Sequence, residues 1–306
     1  MSGVTHLALV GPTASGKSEL ALHLADAFGD IEIVSVDSMQ VYRGLDIGTA
    51  KASAAERERV PHHLIDVVEP DADWTVTRCQ VAARAAVAEI EARGHRALLV
   101  GGTGLYVQAV IDDLRIPGED LTLRVELEAW TAEPGGIAAA YAELERSDPI
   151  AAARIDPHNT RRIVRAIEVI RTTGKPFSSF GPGVMSFGPT AFPVRIAGVW
   201  LPRDALARRI ELRARAMRDA GLVEEVRGLR GRLSRTAAQA IGYREILEHL
   251  EGTLTEDEAL DIVGRRTRSL ARRQRMWFRR DPRIVWLGAA ENPCALLPAL
   301  LALWST

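Results

Sequence analysis

The sequence has little lysine, little cysteine and almost no net charge. Only three of its 39 basic residues are lysines, which a compositional bias of the source genome explains. Two cysteines, Cys79 and Cys294, are too few for a disulfide framework in 306 residues and indicate a reducing compartment. The formal net charge of -1 excludes a polycation, so any anionic partner must be met by a local basic patch.

Long apolar runs are also absent. No stretch approaches the ~18 uninterrupted apolar residues of a membrane span. The short apolar run His6–Val10 leads directly into a glycine loop, which is typical of a strand rather than of a signal peptide. We therefore expect a cytoplasmic protein that has no membrane partner.

The composition that remains is that of a globular protein, 47% hydrophobic and 26% charged, and its length suits two domains. Apolar runs at Leu7–Val10, Ile31–Val36 and Ala97–Val100 alternate with helical patterns over residues 16–28 and 77–93. Strands that alternate with helices predict an α/β fold in which helices flank a parallel sheet.

The pattern changes near residue 115. Residues 121–180 show helical patterns only, residues 177–193 form a loop rich in Gly, Ser, Phe and Pro, and Val194–Leu201 returns to a strand pattern. We predict a core made of residues 1–114 and 194–306 and a helical insertion over residues 115–193. The Arg-rich helical pattern over residues 203–280 belongs to the core.

The first strand is followed by the phosphate-loop motif G-x-x-x-x-G-K-[ST], and a helix follows the motif. Its glycines let backbone N–H groups turn toward a phosphate, and the helix N-terminus adds partial positive charge. Lys17 is expected to reach the outer phosphate and Ser18 to offer its hydroxyl to Mg²⁺. The motif predicts a bound diphosphate without deciding which polyphosphate carries it, ATP being the commonest. Its residues are Gly11, Pro12, Thr13, Ala14, Ser15, Gly16, Lys17 and Ser18.

Asp37 is the acid at the carboxyl ends of the predicted strands, where open α/β sheets bind ligands. The third strand ends in Gly101-Gly102-Thr103-Gly104 and carries no carboxylate. Three roles compete for Asp37: a metal-binding acid, a general base, or a cap for the following turn.

Several ordered motifs resemble those of the tRNA dimethylallyltransferases. They are Ser35–Lys51, Pro61–Asp66, Gly101–Tyr106, Arg161–Glu168, Gly221–Val226, Gln239–Tyr243 and Ala271–Phe278. The resemblance runs from about Leu9 to Leu287. Relatives that prenylate free adenine nucleotides share the early motifs, whereas the long Arg-rich C-terminal part favours the tRNA enzyme. Departures occur at Leu270, where the family often has an aromatic residue, and at Arg275-Met276.

The resemblance implies a P-loop NTPase-like core and the transfer of a dimethylallyl group from dimethylallyl diphosphate to N6 of adenine 37 in tRNA. Asp37 would be the general base, and Thr103 would form a hydrogen bond near the diphosphate or the adenine. The alternative role for Thr103 is a hydroxyl that hydrogen-bonds a backbone group of its own loop. Arg209 and Arg213 lie four residues apart on one helix face. They suit a second clamp on the diphosphate, and a solvated face fits them as well.

The implied partner is the anticodon stem-loop of tRNA, bound by a monomeric chain, with the target base flipped out of the stack. Ser38, Met39 and Gln40 follow Asp37 and are candidates to recognise adenine, together with Asp37 and Thr103. Residues 265–280 contain eight arginines and no acid, which suits RNA binding. The further candidates for RNA contact are Arg124, Arg161, Arg162, Ile163, Val164, Arg165, Arg272 and Arg273. Trp277 and Phe278 are either stacking platforms or core residues.

Two other functions stay open. A small-molecule kinase would use the same phosphate loop with ATP, and a non-catalytic RNA-binding protein would use it to sense a nucleotide. The adjacent pair His62-His63 has no Cys/His cluster near it in sequence and is interpreted as structural rather than as zinc ligands.

Overall fold

The computed structural model describes residues 4–181, 183–184 and 186–305. Within them, six parallel strands form one sheet in the order β3-β2-β4-β1-β5-β6. The strands are β1 His6–Val10, β2 Ile31–Ser35, β3 His62–His63, β4 Arg96–Gly101, β5 Val194–Trp200 and β6 Val285–Gly288. The predicted α/β class with a parallel sheet is confirmed.

Helices flank the sheet and alternate with its strands along the chain. Those of the sheet-containing part are α1 Lys17–Phe28, α2 Ala54–Arg59, α3 Val76–Ala92, α4 Gly104–Asp112, α9 Arg203–Asp219, α10 Leu222–Gly228, α11 Tyr243–Leu250, α12 Glu256–Phe278 and α13 Leu297–Ser305. The intervening helices are α5 Leu121–Ala132, α6 Gly136–Ser147, α7 Pro149–Ala152 and α8 Thr160–Thr173. In the described part of the chain, no helix is long and apolar enough to span a membrane.

Strand β1 lies inside the sheet and is buried along its whole length. Its side chains alternate between two cores, because successive residues of a strand point to opposite faces. Ala8 and Val10 pack in the core that contains residues of α3 and α4, while Leu7 and Leu9 pack in the core that contains residues of α1 and α13. Parallel pairing brings the carboxyl ends of β2, β4 and β1 to one edge of the sheet.

The predicted strands at residues 7–10, 31–36, 97–100 and 194–201 are present within two residues of their expected bounds. Strands β3 and β6 were missed. The pair His62-His63 forms β3, where His63 Nε2 lies 2.7 Å from Glu32 Oε2 and His62 Nδ1 lies 2.7 Å from the carbonyl oxygen of Val60. Their structural interpretation agrees with these contacts.

The chain divides into two compact units, a core unit of Met1–Asp113 and Phe187–Thr306 and a helical unit of Leu114–Ser186. The prediction put residues 187–193 in the insertion, but their contacts are with the core unit. The Ala191 N–H donates to the Ile111 carbonyl at 2.8 Å, and Phe192 meets the His6 ring edge-on. A loop composition therefore did not mark the end of the insertion.

The helical unit has its own apolar core. It is built from one face each of α5, α6 and α8, with Leu127, Leu144 and Ile167 almost fully buried. The strong amphipathic pattern of α8 explains this packing, because its buried residues follow helical spacing.

Candidate functional site

The phosphate loop connects β1 to α1 and requires glycine at two positions. Gly11 has φ +146°, and a Cβ there would lie 2.8 Å from the Val199 carbonyl oxygen. Gly16 has φ +86°, and a Cβ there would lie 2.4 Å from Pro293 Cγ. Both angles and both close contacts exclude a side chain, so the loop is held in a shape that turns its amides inward.

Three cations surround this loop. The Lys17 Nζ donates to the Pro12 carbonyl at 2.7 Å, Arg209 Nε donates to the Ala14 carbonyl at 2.9 Å, and Arg213 Nη1 donates to Thr13 Oγ1 at 3.2 Å. Among the described residues, none of the three has a carboxylate within ion-pair distance. Their positive charge is therefore left for a ligand to neutralise.

Burial changes the acidity of two of these cations. It lowers the pKa of Lys17 to about 7, against the opposing pull of Asp37 and with a further lowering by Arg213. Burial also lowers the pKa of Arg213, again opposed by Asp37. An arriving diphosphate would favour the protonated form of Lys17.

Ser15 is a second feature of the loop that suits an anion. The residue is fully buried, and its Oγ has no hydrogen-bond partner in the described structure. A buried hydroxyl without a partner is costly, and a phosphate oxygen in the loop would accept its hydrogen bond.

Asp37 follows β2 and is partly buried. Its Oδ1 accepts hydrogen bonds from the backbone N–H of Met39 at 2.8 Å and of Gln40 at 3.3 Å. These bonds fix the carboxylate, whereas Oδ2 has no hydrogen-bond partner among the residues that the structure describes. Asp37 thus caps the following turn, as one of its expected roles required, and still offers a free oxygen.

The segment that follows β4 also lies at the carboxyl edge of the sheet. Thr103 Oγ1 lies 3.4 Å from Ser38 Oγ, so these two candidates are neighbours.

Gln274 of α12 was not predicted as a site residue. Its Oε1 accepts the Thr13 N–H at 2.7 Å, and a Cβ at Gly102 would lie 2.7 Å from its Nε2. No local motif could have revealed a contact between residues so far apart in sequence.

These elements line one open cleft of about 490 Å³ at the carboxyl edge of the sheet. Its walls are Thr13, Ala14, Ser15, Gly16, Lys17, Ser18, Glu19, Asp37, Gln40, Thr49, Ala50, Val100, Gly101, Gly102, Arg209, Leu212, Arg213, Ala216 and Gln274. The cleft therefore joins the phosphate loop, both predicted arginines and Asp37. Its size suits a small ligand.

The three candidates to recognise adenine have different surroundings. Met39 packs against the main core, and Ser38 contacts Thr103. The Gln40 side chain donates to the carbonyls of Thr49 and Ala50 at 3.2 and 3.3 Å and accepts from Ser35 Oγ at 2.9 Å. Its amide is therefore engaged within the protein and fixes the wall of the cleft.

The helical unit separates the RNA candidates into two groups. Arg161 and Arg162 are exposed at the start of α8, and neither guanidinium has a hydrogen-bond or ion-pair partner among the described residues. Ile163 and Val164 are 0% and 3% exposed in the core of this unit. Helical spacing turns these two side chains inward, and the RNA contact expected at Ile163 and Val164 stays a prediction.

Arg124 and Arg165 are further RNA candidates whose guanidinium groups are engaged inside the helical unit, and their RNA contact stays a prediction. Arg124 Nε donates to Glu168 Oε2 at 3.0 Å, and Arg165 Nη1 donates to Glu168 Oε1 at 2.7 Å. Arg165 also donates to the Pro117 carbonyl at 2.7 Å. Glu168 is fully buried, so these arginines balance an internal charge.

Helix α12 carries most of the Arg-rich stretch. Arg272 is exposed, and Arg273 is exposed and donates to Ser269 at 2.8 Å. Arg266 pairs with the buried Glu245 of α11. Trp277 and Phe278 pack against the main core, which selects the core interpretation for both.

Two sets of possible metal ligands lie near the start of α1: the Ser18 hydroxyl, and a group of three side chains from Glu19, His23 and Cys294. Ser18 is exposed on the cleft wall, and its hydroxyl has no hydrogen-bond partner in the described residues. Glu19, His23 and Cys294 bring one ligand atom each within 4.8 Å of one another. Because imidazole and thiol are softer than the oxygen ligands that Mg²⁺ prefers, this group does not replace Ser18 as the expected magnesium contact.

Family models match most of the chain. A model described as IPP transferase matches residues 40–281, and a model described as isopentenyl transferase matches residues 4–68. The chain is 47% identical to a tRNA dimethylallyltransferase of Bifidobacterium adolescentis, over 95% of this chain and 86% of that protein. It is 49% identical to a tRNA dimethylallyltransferase of Kineococcus radiotolerans, over 94% of this chain and 91% of that protein.

Solved structures give the same picture. The full-length tRNA isopentenylpyrophosphate transferase from Bacillus halodurans matches with a TM-score of 0.70 and 38% identity, over 97% of this chain and 96% of that chain. A eukaryotic dimethylallyltransferase, captured in crystallographic snapshots acting on tRNA, matches with a TM-score of 0.76 and 26% identity, over 94% of this chain and 74% of that chain.

Proposed function

The chain belongs to the IPP transferase family, and from that premise we propose that it moves a dimethylallyl group from dimethylallyl diphosphate to N6 of adenine 37 in tRNA, releasing pyrophosphate. One observation supports the proposal most directly. The carboxylate of Asp37 lies in the same cleft as a phosphate loop whose cations have no carboxylate of the described residues within ion-pair distance.

The cationic half of the cleft suits the leaving group. Breaking the bond between C1 of the prenyl group and oxygen places negative charge on the diphosphate. Fixed donors that meet this charge lower the barrier. Lys17, Arg209 and Arg213 would exchange their bonds to backbone and hydroxyl oxygens for bonds to the diphosphate.

The carboxylate suits the nucleophile. The lone pair of the adenine N6 amine is delocalised into the ring, so the amine attacks well only if it loses a proton as the new bond forms. Asp37 Oδ2 takes that proton in our proposal, while Oδ1 stays bonded to the backbone of the turn. Thr103 and Ser38 lie beside the same edge and would contact the diphosphate or the base.

We include Mg²⁺ as the cofactor. The unpartnered Ser18 hydroxyl fits it, because Mg²⁺ commonly takes one or two protein oxygens and completes its shell with phosphate oxygens and water. Bound there, the ion would neutralise part of the charge on the diphosphate.

The RNA partner is the anticodon stem-loop in this proposal, bound by a monomeric chain. Arg161 and Arg162 in the helical unit and Arg272 and Arg273 on α12 keep exposed guanidinium groups for phosphates. Affinity for tRNA should fall steeply as salt is added. We expect Arg161→Gln with Arg162→Gln to weaken binding and flatten this salt dependence, and an unchanged slope would remove the pair from the interface.

One incubation tests the reaction itself. The protein is mixed with unmodified tRNA, Mg²⁺ and dimethylallyl diphosphate, and the digested tRNA is analysed by mass spectrometry. The expected product is an adenosine heavier by one C₅H₈ unit. In a parallel incubation with ATP, phosphoryl transfer would support a kinase instead, and nucleotide-dependent RNA affinity without a modified base would support a sensor.

A further inference from the structure

A carboxylate outside the cleft fixes one of its walls. Glu225 of α10 accepts four hydrogen bonds at once. Its Oε2 accepts the backbone N–H of Asp46 at 2.9 Å and of Ile47 at 2.7 Å. Its Oε1 accepts the N–H of Gly48 at 3.1 Å and the Tyr243 hydroxyl at 2.6 Å. A carboxylate has about four acceptor sites, so this one is fully used.

Tyr243 makes the arrangement close-fitting. It is fully buried, and a Cβ at Gly48 would lie 2.5 Å from its ring. Burial, followed by the neighbouring Glu225 charge, raises the pKa of Tyr243. The phenol therefore keeps its proton and remains a donor to Glu225 at any ordinary pH.

The segment held by Glu225, residues 46–50, leads to Asp37. Its carbonyls at Thr49 and Ala50 accept the Gln40 side-chain amide, and the Gln40 N–H donates to Asp37 Oδ1 at 3.3 Å. Thr49 and Ala50 also line the cleft. Hydrogen bonds, together with the backbone of residues 46–50 and Gln40 itself, thus connect Glu225 to the Asp37 carboxylate.

We propose that Glu225 is a positioning residue, which holds Asp37 in its productive orientation through residues 46–50 and Gln40. The inference rests on the proposed prenyl transfer, because it assigns the fixed orientation to that reaction. A displacement of about 1 Å in a reacting group can cost about 100-fold in rate. The phosphate loop makes none of these bonds, so binding of the diphosphate should be spared.

The test compares Glu225→Gln with Glu224→Gln. The first variant keeps the shape of the side chain but turns one acceptor into a donor that faces N–H or O–H groups. The second removes an exposed carboxylate on the same helix that pairs only with Arg227 among the described residues. For Glu225→Gln we expect kcat to fall about 10- to 100-fold and KM for dimethylallyl diphosphate to change less than about twofold. Hydrogen–deuterium exchange should become faster over residues 46–50 and at Met39 and Gln40.

Tyr243→Phe provides a second, milder variant, because it removes one of the four donors and keeps the ring. It should lower kcat in the same direction and by less. Equal kcat values for Glu225→Gln and Glu224→Gln would overturn the proposal, as would a rise in KM that accounts for the whole loss. Slow, unchanged exchange at Met39 and Gln40 in Glu225→Gln would also overturn it.

The two proposals fail separately. If the wild-type protein transfers no prenyl group to tRNA, the proposed function fails and the kinetic comparison has no signal. Exchange at Met39 and Gln40 then decides whether Glu225 orders the turn that binds Asp37. Faster exchange in Glu225→Gln than in Glu224→Gln supports that ordering, and equal exchange refutes it.

Discussion

The cleft of the core unit and the centre of the helical unit treat arginine in opposite ways. In the cleft, Arg209 and Arg213 donate to a carbonyl and a hydroxyl, and no described carboxylate lies within ion-pair distance of them. In the helical unit, Arg124 and Arg165 both pair with the buried Glu168. One region leaves its charge for a ligand, and the other compensates its charge internally.

The presence or absence of a paired carboxylate distinguishes ligand-binding arginines from structural arginines better than residue type does. A charge removed from water is costly unless it is paired. Cations that are partly buried and lack an acid therefore indicate an anionic ligand, whereas cations around a buried acid indicate a structural role. Each region contains a pair of arginines four residues apart, Arg209 and Arg213 in one and Arg161 and Arg165 in the other. Sequence spacing alone therefore could not distinguish a ligand-binding arginine from a structural one.

The largest effect should come from the carboxylate that the cleft does contain. Asp37→Asn keeps the size of the side chain but cannot accept the proton, so we expect prenyl transfer to slow by about 10²- to 10⁴-fold. Affinity for the diphosphate should not fall, because a negative charge near Lys17 has been removed. Single-turnover rates and calorimetric titration measure the two quantities. Asp26→Asn, at an exposed ion pair on α1, is the control, and a near-normal rate for Asp37→Asn would exclude the base assignment.

The next effect should be on stability and confined to the helical unit. Glu168→Gln leaves Arg165 without a carboxylate partner and leaves Arg124 with only the longer contact to Glu119 at 3.4 Å, and we expect the free energy of unfolding to fall by about 3–5 kcal/mol. Urea unfolding measures this change. Glu143→Gln removes a more exposed partner of Arg171 and should cost about 1 kcal/mol or less. Equal costs for the two variants, or a loss of diphosphate affinity in Glu168→Gln, would break the comparison.

A smaller effect is expected for an arginine of the cleft. Arg213→Met removes a charge-assisted bond worth about 1.5–3 kcal/mol, so the diphosphate should bind about 10- to 100-fold more weakly. Stability should not fall, because burial already disfavours the charged form of Arg213. Arg215→Met, on the exposed side of the same helix, should leave affinity unchanged. Destabilisation by Arg213→Met without loss of affinity would place this arginine in the structural class.

The smallest expected effect is the uptake of a fraction of one proton when the diphosphate binds. Burial lowers the pKa of Lys17 to about 7, so the free protein loses this proton as the pH rises above 7. A bound diphosphate raises the pKa again, so binding should take up a proton at pH 8, and affinity should fall as the pH rises from 7 to 9. Calorimetry in two buffers of different ionisation enthalpy counts the proton. Lys17→Arg should show no uptake, and uptake that persists in that variant must come from another group.

The sequence predicted the parts of the site that local patterns determine. The phosphate loop needs glycine at fixed positions between a strand and a helix, and Gly11 and Gly16 satisfy conformations and contacts closed to other residues. Asp37 follows a buried β-branched run, so its place at the edge of the sheet followed from the strand. Strands β3 and β6 are only two and four residues long, too short for a periodic pattern.

Distant partners account for what the sequence could not predict. Residues 265–280 contain no acid, and the arginines there looked uncompensated. Arg266 nevertheless pairs with Glu245, and Arg268 lies 3.6 Å from Glu211, both outside that window. Gln274, Glu168 and Glu225 owe their roles to contacts across the fold, and a single sequence carries no signal for such pairs.

The bond between Thr13 and Gln274 spans 261 positions of the chain. Pro293, which packs against Gly16, lies further along still, so a ribosome must release nearly the whole polypeptide before the phosphate loop acquires these two neighbours. The earlier segments emerge and begin to fold first, but the nascent chain would lack the helix that braces its own nucleotide-type loop. A complete phosphate-binding cleft would thus arise only late in synthesis.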